Sequence, residues 1–195
     1  MLRLPPRVQL VVGIALALLM AMTRGQHFAT VNLPSASWAV FFLAGVFLRP
    51  RWVFPALFIE ASLLDFAAIQ WAGVSDWCVS PAYWLLLPAY GSLWFGGHLY
   101  AGWHRNEWVS LATLILTLVV SAFVCYLFSG GGFYYFSGRY PEPIFAEFVQ
   151  RIGMYYPRYF ASLALYVGIA AVLYTGAFAL FGHPRPLENP DERIG

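Results

Sequence analysis

Lysine is missing altogether from this 195-residue chain, and charge of either sign is scarce: Asp, Glu, Lys and Arg together make up 10% of it. A soluble domain carries about 25% charged residues. With 61% hydrophobic residues and a mean hydropathy of +0.66, the composition excludes a soluble globule and reads as one integral membrane domain spanning 1–195. All eleven cations are arginine, and a net charge of +2, thinly scattered, argues against nucleic acid. Cysteine is limited to Cys78 and Cys125. A disulfide would have to join a helix interior to a loop, so both read as free thiols, Cys125 as a small buried hydrophobe in the apolar run Ser121–Phe128. There is no Walker loop, no Gly-x-Ser-x-Gly elbow and no HExxH. The histidines are dispersed and form no zinc-ligand spacing: His98 and His104 fall toward one end of the chain's fourth apolar run and His183 in the tail, which leaves His27 in the first loop.

What the chain does have is long apolar runs. A transmembrane helix needs roughly 20 such residues. Six segments come close, at about Val8–Met22, Ser35–Leu48, Trp52–Trp71, Pro81–Trp103, Trp108–Phe128 and Tyr159–Phe181. Arg3 and Arg7 ahead of the first run also suit a signal peptide, but it continues a regular six-span pattern and no small-x-small cleavage site precedes the polar loop. Arginine placement sets the expected orientation. Arg3, Arg7, Arg49, Arg51, Arg105, Arg185 and Arg193 fall on one side, against Arg24, Arg139, Arg151 and Arg158 on the other, so both termini are expected in the cytoplasm. The inner connections are short and the outer ones longer (Thr23–Pro34, Ala72–Ser80, Ser129–Pro157), which puts recognition outside. The polar stretch after residue 182 reads as a disordered cytoplasmic tail, 183–195.

Helix one repeats small residues every four positions, at Gly13, Ala17 and Ala21, a face that lets another helix approach closely. That face suits packing inside the bundle and docking of a partner equally. Helix three carries Glu60 and Asp65, five residues apart and so roughly 140° apart around the axis. Charges at membrane depth point into the bundle or a wet cavity. Asp65, nearer the outer end, suits a site or an ion pair with an arginine; Glu60 suits protonation or pairing inside the bundle. In the third outer loop, Gly130–Gly132 reads as a hinge before the aromatics Phe133–Phe136. Ile144, Phe145, Phe148 and Ile152 then predict a short surface helix over 141–153, distinct from helix six. Aromatics on these loops suit both an interfacial belt and the lining of a pocket for a large flat ligand.

The stretch with the most chemistry is Trp71–Trp84, a polar interruption holding Cys78 between Trp77 and a small-residue turn, near Asp76 and Tyr83. A thiolate is a soft donor for transition metals, and metal coordination would deprotonate it despite Asp76. A metal-containing ligand therefore suits this position, with a nucleophilic role as the competing use. The length, the six spans with both ends inside and the small-residue face of helix one resemble the S-component of an energy-coupling-factor (ECF) vitamin transporter. More narrowly, Asp65, the Trp77-Cys78 pair, Tyr83 and Arg151, with His27 as a weaker match, resemble the BtuM family of cobalamin transporters.

That resemblance implies an all-α, six-helix bundle in the bacterial inner membrane that binds cobalamin as substrate under its outer loops, Cys78 taking one axial position on cobalt. It implies docking of an ECF coupling module on the helix-one face (Ala17 and Ala21), although members of the family typically occur without a dedicated ATPase. Tyr83 can bond the amides of the macrocycle, Arg139 or Arg151 its phosphate, and His27 is a second donor to consider. Thiolate ligation would labilise the opposite cyanide of cyanocobalamin, a cysteine-mediated decyanation. Two other functions fit the same residues: an S-component for another vitamin in which Cys78 is incidental, and a membrane sensor or enzyme with Cys78 as nucleophile and Asp65 and His27 as acid–base partners.

Overall fold

In the computed structural model every regular element among the described residues, 4–24, 33–71, 80–104 and 109–181, is helical. Four helical stretches are long and apolar enough to cross a membrane. They are α1 (Pro6–Arg24), α3 (Val53–Trp71), α5 (Val109–Tyr126) with its extension, and α7 (Phe145–Phe181, spanning to Ala177). Large apolar side chains cover their outsides, and the exposed Trp52, Trp71, Trp84 and Trp103 mark both ends of α3 and of α4 (Leu86–Trp103). In water such a surface would be untenable; in a bilayer it is the solvent-facing side, with tryptophans at the boundary. The chain is an all-helical membrane protein.

The core is α2 (Ser37–Phe47), whose residues from Ser37 to Val46 are all buried. At eleven residues it is roughly 16 Å long, about half the ~30 Å hydrocarbon core. It is apolar on every side because helices surround it. Its entry is fixed by polar contacts from two neighbours. Thr23 Oγ1 accepts from the Ala36 amide at 3.1 Å while donating to Leu19 O at 2.8 Å, and Tyr166 Oη of α7 donates to Pro34 O at 2.7 Å. Glycines set the closeness of α2 and α4. A Cβ at Gly97 would land on the carbonyl oxygen of Phe42, one at Gly45 on that of Trp94, and one at Gly96 against Ser121 of α5. Small residues at such crossings replace the hydrophobic drive that lipid cannot supply.

Two expectations change. The glycine run is not a hinge: α5 continues through a π-helical turn at Leu127–Gly131 into α6 (Gly132–Phe136). These glycines answer to packing, since a Cβ at Gly132 would strike Leu85 and one at Gly131 would press on Phe148. The surface helix over 141–153 and helix six are also one element, because α7 runs unbroken for 37 residues with Pro157 inside it. Proline lacks the N–H that would bond the Gly153 carbonyl, and that single loss is survivable where the flanking turns are packed. Phe148 is buried against Tyr134 and Tyr135, and Tyr159 stacks on Trp38 with centroids 5.2 Å apart.

Cys125 is fully buried in α5, as its apolar run implied. We expect it to resist a membrane-permeant maleimide in a folded Cys78→Ala variant and to react only after denaturation. Rapid labelling of the native variant would contradict the α4–α5 packing.

Candidate binding site

At the end where α1 and α3 finish, four elements meet around one guanidinium. Arg24, the last residue of α1, places its fork on Asp65 of α3, with Nε to Oδ1 at 2.6 Å and Nη2 to Oδ2 at 2.7 Å. Nη1 donates to Ser37 Oγ at the start of α2 and to Tyr90 Oη of α4, both at 2.9 Å. Tyr83, in the single 3₁₀ turn Pro81–Leu85 that leads into α4, donates its hydroxyl to Asp65 Oδ2 at 3.0 Å. The Tyr90 ring lies flat on Phe41, centroids 4.4 Å apart, which fixes its hydroxyl toward Arg24. The Arg24 and Asp65 side chains are 13% and 29% exposed. A bidentate pair so shielded is held in one geometry and barely screened by salt.

Asp65 is therefore neutralised by Arg24, and between the two uses open to it the ion pair is the one the geometry displays. Its carboxylate already accepts three hydrogen bonds, so its work here is positional. It ties the last turns of α1 and α3 to the turn that begins α4. Between α3 and that turn runs the segment 72–79. Ser80, the residue that closes it, has a buried Oγ with no hydrogen-bond partner among the described residues. Trp77, Cys78 and Asp76 lie in that segment and His27 in 25–32; both segments, together with 105–108 and the tail from 182, fall outside the described residues.

A second polar cluster occupies the first turns of α7. Arg151 donates to Tyr140 Oη and pairs with Glu147 at 3.4 Å, one turn earlier. Its guanidinium carbon lies 4.6 Å from the ring centroid of Tyr140, 5.3 Å from that of Tyr134 and 5.6 Å from that of Tyr155. Tyr134 Oη in turn donates to Glu147 Oε2 at 2.9 Å and accepts from the Ile144 amide at 3.0 Å. Tyr126 Oη donates to the Arg151 carbonyl at 3.1 Å, joining this cluster to the top of α5. Arg139 sits on the turn between α6 and α7, after Gly138 with its φ of +70°, and its amide donates to Ser137 Oγ at 3.2 Å.

Two of the sequence-predicted residues, Asp65 and Tyr83, thus come together, while Arg139 and Arg151 belong to the α6–α7 cluster. Sequence reasoning passed over Arg24, Ser37 and Tyr90. Arg24 had been counted only as a loop charge, although an acid buried in an apolar span needs a cation and Arg24 closes the neighbouring span. No family model matches the chain, and no curated protein matches it.

Proposed function

We propose that this chain is the cobalamin-binding subunit of a vitamin uptake system: a six-span, S-component-like bundle with both termini in the cytoplasm, in the bacterial inner membrane. In this reading α2 and α4 complete the bundle begun by the four long helices. The observation that supports it best is the Arg24–Asp65–Tyr83 network, because Asp65 and Tyr83, which flank Cys78 in the sequence, are bonded to each other. The described residues contain no group of three His, Cys, Asp or Glu able to cage a metal ion. Cobalt in cobalamin arrives already held by its macrocycle and asks only for axial donors. Cys78 supplies one as thiolate. Tyr83 and Ser80 would meet amides at the rim, and Arg151, set among aromatic rings, would offer its charge to the phosphate. If cyanide occupies the opposite position it leaves with its electron pair, takes up a proton and is replaced by water, so cobalt keeps its oxidation state. An ECF coupling module would dock on the helix-one face.

The test is optical. Purified protein mixed with cyanocobalamin is expected to shift the visible spectrum, and Cys78→Ala to leave it unshifted. Identical spectra from the two proteins would remove cobalt–sulfur contact from the reading. A protein that takes up no corrinoid at all would remove the vitamin.

A further inference from the structure

At the opposite end of the bundle, a cavity of about 550 Å³ opens between the first half of α1 and the first half of α3. That volume lies within the ~300–1,000 Å³ typical of small-molecule sites. Gly13 and Ala17 recede on one wall, Ala56 and Leu57 form the other, and Trp52 stands at the mouth. Into this apolar lining projects one carboxyl, Glu60. It sits seven residues past the start of α3, roughly 10 Å along the axis, and so within the hydrocarbon depth of a spanning helix. Arg49 also lines the cavity but makes no ion pair with Glu60; among the described residues the ion pairs are those of Arg24 with Asp65 and Arg151 with Glu147. The only other polar side chain reaching this depth of α1, Gln9, is already spent, donating to Leu4 O at 2.9 Å and accepting from the Arg49 amide at 3.2 Å.

An acyl chain would fill the volume but leave the carboxyl oxygens facing hydrocarbon, which costs several kcal/mol for a charge and somewhat less for a neutral acid. A cation with an apolar body meets both the apolar walls and Glu60, whose carboxyl Arg49 leaves unpaired. We infer that the α1–α3 cavity is a binding site for a lipophilic ammonium ion, with Glu60 as its counter-ion. Entry is lateral, from the bilayer, through the gap that Gly13 leaves. The site does not rest on cobalamin binding, although it shares Gly13 and Ala17 with the helix-one face on which a coupling module would dock.

A hydrophobic carbodiimide reads Glu60 directly, since it modifies carboxyls at membrane depth and the adduct can be mapped by peptide mass. The full-length protein in neutral-lipid nanodiscs is labelled with dicyclohexylcarbodiimide at increasing decyldimethylammonium, a tertiary amine that cannot be acylated, or at increasing decanol. We expect labelling of Glu60 to slow at least tenfold and saturably with the amine and to be unmoved by the alcohol. Glu60→Gln should lose saturable amine uptake in equilibrium dialysis while keeping its unfolding midpoint. Gly13→Leu fills the gap from a position where an added Cβ meets only Leu48 at 3.6 Å, an ordinary contact, and it too should lose uptake. Equal protection by the alcohol, or none by the amine, would overturn the assignment, as would undiminished amine uptake by Glu60→Gln.

Discussion

Replacing Asp65 with alanine is expected to destabilise the folded chain by about 3 kcal/mol, the low end of the range for stranding a buried charge, because Asp65 keeps some contact with solvent. The loss comes less from the attraction itself than from what stays behind. Arg24 would keep its bonds to Ser37 and Tyr90 but carry an unbalanced charge among α1, α2 and α4. Removing both charges, as Arg24→Met with Asp65→Leu, should cost distinctly less than the sum of the single changes, since neither ion is then left alone. Unfolding midpoints of the four proteins in mild detergent close the cycle. A single-variant loss below about 1 kcal/mol, the range of surface pairs, would mean that water reaches the pair freely. The single variant should also weaken any cobalamin spectral shift while leaving Cys78 in place, which separates positioning from ligation.

Gly97→Ala is expected to be worse. The methyl would have to share space with the carbonyl of Phe42, so α2 and α4 must part along their whole crossing. Overpacking of a side chain typically costs about 1–3 kcal/mol; against rigid backbone we expect the upper end or beyond, seen as loss of monodisperse protein on extraction. Gly102→Ala supplies the comparison, because a Cβ there meets nothing within 4 Å and alanine favours the helix by up to about 1 kcal/mol. If the two variants behave alike, the close approach of α2 and α4 is wrong.

How much of this was legible beforehand depends on the residue. Apolar runs mark helices in a membrane chain dependably, because backbone polar groups there leave few alternatives. The segments beginning near Val8, Ser35, Trp52, Pro81 and Trp108 all correspond to helices, with ends shifted by a few residues. Glycine and proline misled. At Gly130–Gly132 the sequence suggests freedom, whereas those positions are small because Tyr126, Phe148 and Leu85 in turn press on them. At Pro157 the sequence places the end of a loop, whereas α7 runs on past one missing hydrogen bond. Asp65 stands out in the sequence as a charge at membrane depth and Tyr83 as a neighbour of Cys78, but the bond between them spans eighteen residues and no local pattern shows it. Arg24, forty-one residues from Asp65, could be matched to it only by asking which cation a buried acid had found.

The shortness of α2 bears on how the molecule is made. A segment of eleven residues is a poor candidate for insertion by itself, and its amide at Ala36 finds its acceptor on Thr23 of the preceding helix. The nascent chain would then have to hold α2 against α1 as a hairpin until α4, which begins only at Leu86, emerges to close over it. Ribosome-stalled chains ending between Phe47 and Leu86 should accordingly leave Trp38 and Phe42 open to water-soluble quenchers or crosslinkers, and chains extended past Trp103 should shield them.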